Sequence, residues 1–283
     1  MTEPRSRRLG LVQMACGPER AENHARAAAL AREARAAGCG LVALQELFAG
    51  IYFPQYMASR YYALAEPIPG PTFDFLSGLA RELGVVLVGS LYERALAGIY
   101  FNTALVFHGD GTLAGKARKM HIPDGPQYCE KYYFTPGDTG YPVIDTAFAR
   151  LGVPTCWDQW FPEVARILAL EGAQLILYPT AIGSEPEHPE LSTRDAWETV
   201  IRAHGIANGC FVAAVNRVGV EDGMRFYGGS FVSDPLGCVL ARGGDAEQLV
   251  IADLELDRIR EAREMLQMLR DRRPESYARL LAR

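Results

Sequence analysis

Residues 150–163 read Arg-Leu-Gly-Val-Pro-Thr-Cys-Trp-Asp-Gln-Trp-Phe-Pro-Glu. Arg150 to Thr155 has the pattern of a short buried strand. Pro162 suits the first position of a helix, predicted over 162–170, and Gly172 suits its end. Cys156 falls in the turn between them. Strand, turn and helix in that order define one unit of an α/β sheet. Ligands of such sheets bind outside the carboxyl ends of the strands. Working outward, 174–178 reads as a strand, and 195–208 as a helix closed by Gly209. A strand follows at 211–216. Residues 229–233 and 238–242 flank Asp234-Pro-Leu-Gly237 as a hairpin. A further strand at 249–254 and a charged helix at 257–271 complete this half.

The same order is legible upstream. A strand at 9–14 leads to an Ala/Arg/Glu-rich helix at 21–37, stopped by Gly38 and Gly40. A strand at 41–44 runs directly into Gln45-Glu46. A helix at 72–83 ends at Gly84, and 85–91 is a buried strand. Residues 102–107 and 112–118 flank Gly109-Asp-Gly111, a second hairpin signal. Two halves of the order strand–helix–strand, helix–strand, hairpin predict an α/β protein in which two pseudo-symmetric sheets pack face to face with helices outside. That is a four-layer αββα sandwich. With no low-complexity linker, residues 1–283 read as a single domain. The tail, about 272–283, carries Pro274, Tyr277, Leu280 and Leu281, and three placements are open to it: on its own subunit, on a neighbouring subunit, or nowhere.

Composition narrows the classes. Of 283 residues 49% are hydrophobic, enough for a large core. The formal net charge of −5 lacks the basic stripe of a nucleic-acid binder. No apolar run reaches the roughly 18–20 residues of a membrane span. The apolar stretch after the N-terminus is shorter than the roughly 7–15 residues of a signal-peptide core, so a cytoplasmic protein is expected. The six cysteines form no CxxC pair and the five histidines no HxxxH or HExxH pair, so neither a disulfide framework nor a zinc site is expected. GxGxxG, GxxxxGK[ST] and GxSxG are also missing.

Three residues are candidates for chemistry. A cysteine at a strand end is usually a small core hydrophobe. The polar and aromatic Trp157-Asp-Gln-Trp160 after Cys156 looks instead like a pocket wall. Glu46 directly follows a buried strand, where a capping or surface carboxylate is the plainer alternative. Lys119 follows the first hairpin in Lys116-Ala-Arg-Lys-Met-His121, a run that elsewhere would be a solvated basic face.

A Glu after the second strand, a Lys after the central hairpin and a Cys before a helix, in that chain order, resemble the triad of the nitrilase (carbon–nitrogen hydrolase) superfamily. The resemblance covers about residues 8–275. Residues 118–138, Cys156-Trp-Asp-Gln-Trp-Phe-Pro-Glu163 and Tyr178-Pro-Thr-Ala-Ile-Gly-Ser-Glu-Pro186 narrow it to the N-carbamoylputrescine amidohydrolases of putrescine synthesis. The resemblance implies Cys156 as nucleophile, Glu46 as general base and Lys119 as stabiliser of the tetrahedral intermediate. Glu130, in Cys129-Glu-Lys-Tyr-Tyr, matches a second glutamate that many members place beside the cysteine. Thr155 departs from the family, whose members often carry an aliphatic residue there. The resemblance implies no metal and no organic cofactor.

A carbamoylated diamine ends in an ammonium group, which needs an anion once out of water. Glu185, after the strand next to that of Cys156, is the candidate, with a solvated loop glutamate as the alternative. Tyr52, Trp157 and Trp160 are candidate walls. A small-molecule substrate and a homo-oligomer are expected, with neither nucleic acid nor membrane as partner. The nearest enzymatic alternative is a β-ureidopropionase or an N-carbamoyl amino-acid amidohydrolase, whose carboxylate-bearing substrates call for Arg or Lys in place of Glu185. A non-catalytic assembly protein would be expected to lack one of the triad, and all three are present.

Overall fold

The computed structural model describes residues 6–185 and 187–282. In chain order the elements are β1 (Ser6–Gln13), α1 (Arg20–Ala36), β2 (Leu41–Leu44), α2 (Pro71–Leu83), β3 (Val86–Leu96), β4 (Ile99–Phe107) and β5 (Leu113–Arg118). Then come β6 (Val143–Asp145), β7 (Arg150–Gly152), α3 (Pro162–Leu170), β8 (Leu175–Pro179), α4 (Arg194–Asn208) and β9 (Phe211–Val215). The chain closes with β10 (Val218–Glu221), β11 (Met224–Tyr227), β12 (Phe231–Ser233), β13 (Val239–Arg242), β14 (Gln248–Glu255) and α5 (Asp257–Leu266).

One sheet has the order β14-β1-β2-β3-β4-β5, the other β13-β12-β9-β8-β7-β6. In each, three consecutive strands are parallel (β1-β2-β3 and β7-β8-β9) and the flanking ones antiparallel. The halves also exchange a strand. β6 follows the first half's hairpin but pairs with β7, and β14 follows the second half's hairpin but pairs with β1.

Side-chain alternation makes the layers. In a strand successive residues face opposite sides. Leu9, Leu11, Leu41 and Ala43 face the second sheet and meet Leu175, Leu177, Phe211 and Ala213. Their neighbours Val12, Val42 and Leu44 face α1 and α2. On the far side Ile176, Tyr178, Val212 and Ala214 pack under α3 and α4 against Leu168, Trp197 and Ile201. Three interlayer cores make four layers, the sandwich expected above. α1 buries alanines, Ala27, Ala28, Ala31 and Ala34, and so lies close on its sheet. A Cβ at Gly10 beneath it would stand 3.0 Å from that of Ala34.

Several boundaries differ from expectation. The strand before Cys156 stops at Gly152, because Pro154 cannot continue the ladder. α5 ends at Leu266, where Gln267 turns into the left-handed region, rather than at 271. The short β6 and the β10–β11 hairpin were not anticipated. The tail forms two short turns, 274–276 and 278–281, with Leu280 69% and Leu281 91% exposed and Arg272 and Tyr277 near Arg166 of α3. Among the described residues no helix is long and apolar enough to cross a membrane.

Leu254 of β14 is fully buried between the sheets. Leu254→Ala is expected to destabilise the protein by about 2–5 kcal/mol, because the exchanged strand leaves little room to collapse around the lost side chain. Chemical denaturation followed by circular dichroism measures it, and a loss under 1 kcal/mol would place β14 outside the core that couples the halves.

Candidate active site

Strand ends deliver the site. Glu46 lies just beyond β2, Lys119 just beyond β5 and Cys156 beyond β7, so both sheets contribute. Lys119 Nζ donates to Glu46 Oε1 at 2.9 Å and to Glu130 Oε2 at 2.6 Å. All three side chains are fully buried. Glu46 Oε1 also accepts from Asn102 Nδ2 at 2.6 Å, and Glu130 Oε1 accepts from the Tyr52 hydroxyl at 2.6 Å. Glu46 Oε2 is buried with no hydrogen-bond partner among the described residues. That oxygen is therefore the one free to take a proton.

Cys156 sits on a strained turn. Its φ is +42°, a region a side chain other than Gly enters at a cost of order 1–3 kcal/mol. The left-handed turn starts the short helical segment Cys156–Trp160 and leaves the Trp157 backbone N–H without a partner among the described residues. Burial pushes the Cys156 thiol well above its ordinary pKa, and the Glu46 charge pushes it further, while Lys119 pulls it down. Burial thus favours the thiol over the thiolate at this position.

The charges in the site do not cancel. Two carboxylates share one ammonium. Burial pushes the Glu130 carboxyl up to about 7; Lys119 opposes the rise and Glu46 adds to it. For Lys119 burial works against its charge, and the carboxylates of Glu130 and Glu46 overcome it, so its pKa is raised.

Two buried polar residues hold the frame. Asp158 Oδ2 accepts from Thr155 N–H at 3.1 Å and Met120 N–H at 3.4 Å, and Oδ1 from His121 N–H at 2.9 Å. It thereby ties the turn of Cys156 to the chain beside Lys119. Asn216 accepts from Ile182 N–H and donates to the carbonyls of Ile182 and Gly228, fixing the loop whose Ala181 carbonyl lies 4.0 Å from Cys156 Sγ.

The substrate-side candidates separate. Tyr52 is not an open wall: it is fully buried and its hydroxyl is committed to Glu130. Trp160 is half-buried, packed against the core under α3 and α4 with its ring edge-on to Trp157, 6.4 Å between centroids. Trp157, next to the nucleophile, is 39% exposed. Glu185 is half-buried, which raises its carboxyl pKa, and no ion pair is formed to it among the described residues. Glu187 and Asp195 are exposed. Tyr128 and Tyr227, both half-buried, lie within electrostatic reach of both Glu185 and Cys156. Neither tyrosine was singled out from sequence, nor was Asn102. A polar Asn within the otherwise apolar β4 was the available signal for the last. Among the described residues no three His, Cys, Asp or Glu side chains are grouped to hold a metal ion.

A four-layer sandwich with a buried Glu–Lys–Glu cluster beside a strained cysteine defines a class, and the comparisons give it. The carbon–nitrogen hydrolase family profile matches residues 8–264, and the chain belongs to that family, within the nitrilase superfamily, as a hydrolase of carbon–nitrogen bonds other than peptide bonds. It is 44% identical to the N-carbamoylputrescine amidase of Solanum lycopersicum, over 96% of this chain and 94% of that protein. A citrullinase of Francisella tularensis is 38% identical over 95% of this chain and 96% of that one. The crystal structure of a carbon–nitrogen hydrolase from Helicobacter pylori G27 superposes with a TM-score of 0.94 at 42% identity, covering 98% of this chain and 99% of that one.

Glu130 must be ionised to hold both Lys119 and Tyr52, so the acid limb of kcat/KM, which reports the free enzyme, is expected above the ordinary carboxylate range, near pH 7. The Tyr52 hydroxyl favours the ionised form. Hydrogen bonds to charged groups contribute about 1.5–3 kcal/mol, and one pKa unit is about 1.4 kcal/mol. Tyr52→Phe should therefore move that limb to higher pH by about one to two units. A pH–rate profile checks it, and an unmoved limb would remove Glu130 from the titration.

Proposed function

We propose that this chain hydrolyses N-carbamoylputrescine to putrescine, CO2 and ammonia. The observation that carries the reading is the buried Lys119 between Glu46 and Glu130, with Cys156 on its strained turn beside them. The amidase relatives support the choice of substrate.

In this mechanism the Cys156 sulfur attacks the ureido carbon while Glu46 Oε2 takes the thiol proton. The carbonyl oxygen becomes an oxyanion, bound by Lys119 Nζ and the Trp157 N–H. Such donors typically lower the barrier by about 2.7–4 kcal/mol each. Glu46 returns the proton to the terminal nitrogen, the C–N bond breaks and ammonia leaves. A carbamoyl thioester remains on Cys156. Water, deprotonated by Glu46, attacks the thioester carbon, and the C–S bond breaks with the proton passing to sulfur. The carbamic acid released loses CO2 and leaves the amine.

Glu185 receives the distal ammonium, with Tyr128 and Tyr227 as aromatic neighbours suited to a cation. A half-buried carboxylate with no ion-pair partner favours a cationic tail over the carboxylate of a ureido acid. One observation favours a second reading: the Arg194 guanidinium lies close to Gly229 and acts on Tyr227, a cation placed where an α-carboxylate such as that of citrulline could be met. Side-by-side kinetics on N-carbamoylputrescine, citrulline and N-carbamoyl-β-alanine separate the readings. A higher kcat/KM for either acid would overturn the first.

Glu46→Gln and Lys119→Ala should each lower kcat at least about 100-fold with KM changed only a few-fold, because both act on charge developed in the transition state. A raised KM with unchanged kcat would move that residue to binding. Cys156→Ala should remain folded with no measurable turnover.

Glu185→Gln should cut kcat/KM on N-carbamoylputrescine at least about tenfold, the loss expected when an ammonium is left unpaired. A neutral ureido analogue of equal length should be affected far less. Equal losses on both substrates would assign the residue to loop structure instead.

A further inference from the structure

Arg217 lies between β9 and β10, fully buried, and the mechanism above does not use it. Its Nη2 donates to the carbonyl of Glu46 at 3.2 Å and to that of Leu47 at 2.8 Å. Its Nη1 donates to the carbonyl of Gly50 at 3.0 Å and to Glu221 Oε1 at 2.6 Å. The other oxygen of Glu221 accepts from the Tyr52 backbone N–H at 2.6 Å. Leu47 has φ +50°, so the chain leaves Glu46 through a left-handed turn. These donors hold the turn together with Gly50 N–H, which donates to the Leu47 carbonyl at 3.4 Å, and Ser90 Oγ, which accepts from Leu47 N–H at 3.3 Å; a branched aliphatic residue by itself disfavours this backbone region.

We propose that Arg217 and Glu221 form a positioning pair that sets both carboxylates of the active site. Arg217 holds the Glu46 turn so that Oε2 stays free and aimed, and Glu221 holds Tyr52, whose hydroxyl holds Glu130. The inference rests on the catalytic roles given above to Glu46, Glu130 and Cys156. It reaches further than those residues because of where the pair sits. Glu221 closes one end of the β10–β11 hairpin. The other strand bridges the loop of Glu185: Phe226 pairs with Gly183, the Arg225 carbonyl accepts from Ser184 N–H at 2.8 Å, and Arg225 N–H donates to Ser184 Oγ at 3.0 Å. One small hairpin therefore grips the substrate-side loop and the base together.

The choice of arginine has a physical reason. Its planar fork reaches three carbonyls and a carboxylate at once, and an ammonium on a single stem does not. The other titratable groups acting on Arg217 are Cys16 and Glu46.

The test uses the full-length protein with Arg217→Lys and Glu221→Gln, two readouts and a thermal melt. Glu221→Gln keeps shape and an acceptor for Tyr52 N–H, so it decides the matter if a buried Arg217 variant fails to fold. The first readout is kcat and KM on N-carbamoylputrescine. The second is the rate of Cys156 alkylation by iodoacetamide from pH 6 to 10, resolved by mass spectrometry, which needs no substrate. The expected result is a folded Glu221→Gln protein with kcat at least tenfold lower and KM within about twofold. Its Cys156 alkylation should be at least fivefold slower near neutral pH and rise with pH like an unassisted thiol. Arg217→Lys, which keeps the charge and not the fork, should not rescue either readout. Alkylation kinetics matching wild type in both variants would overturn the proposal, whatever the melting temperature does. If wild type fails to turn over N-carbamoylputrescine but Cys156 alkylation is slowed in the variants, the substrate assignment falls and the positioning pair stands.

Discussion

One ammonium group is held between two carboxylates with all three out of water, and the surrounding architecture is what makes that arrangement tolerable. Isolated, any of these charges would be driven neutral by desolvation. Together they leave a net negative charge that has to be met by fixed donors: Asn102 on one carboxylate, Tyr52 on the other. The frustration is local and chemically useful. In the proposed mechanism the carboxylate with one oxygen tied down and the other bare is the base, its reach fixed before any substrate arrives. The thiol beside it is pushed toward its protonated form by the same burial, so in that mechanism proton transfer accompanies attack rather than preceding it.

Such a cluster needs rigid supports that arrive from different parts of the chain. The two sheets supply them by ending at one place. Turns carry the reactive atoms, and two of these turns, at Leu47 and Cys156, are left-handed. Both are secured by buried polar side chains that accept or donate several backbone hydrogen bonds at once, Arg217 for the first and Asp158 for the second. Strain at the reactive residue is thus balanced by hydrogen bonding one shell away.

What was legible in the sequence follows from how each signal is encoded. Repeated apolar runs with glycine stops announced the strands and helices, because burial on both faces and left-handed caps are local demands. Leu41–Leu44 and Pro162–Leu170 come out as read. The halves' common order announced the sandwich. Motif resemblance pointed to Glu46, Lys119, Glu130 and Cys156, and the geometry joins the first three by direct hydrogen bonds. Tyr52 and Trp160 were read as walls because aromatic residues near a motif look alike in one dimension; whether a ring faces a cleft or a core is decided by distant elements. Arg217, Glu221, Tyr128 and Tyr227 act across long separations and carry no local signature. The β10–β11 hairpin, the element that connects most of them, was passed over because its strands are short and partly polar.

The exchange of β6 and β14 has a bearing on how the molecule is made. The first strand pairs in register with the last, Ser6 opposite Glu255. During synthesis the outer edge of the first sheet therefore stands open until almost the whole chain has left the ribosome. An open, apolar strand edge is a template for the wrong partner, including another nascent copy. The first sheet cannot be sealed vectorially, half by half. Its completion is a post-translational event of high contact order, so slow folding follows from the topology itself. The same closure that brings two sheets to one catalytic point thus makes the nascent first half the most vulnerable stage in the life of the chain.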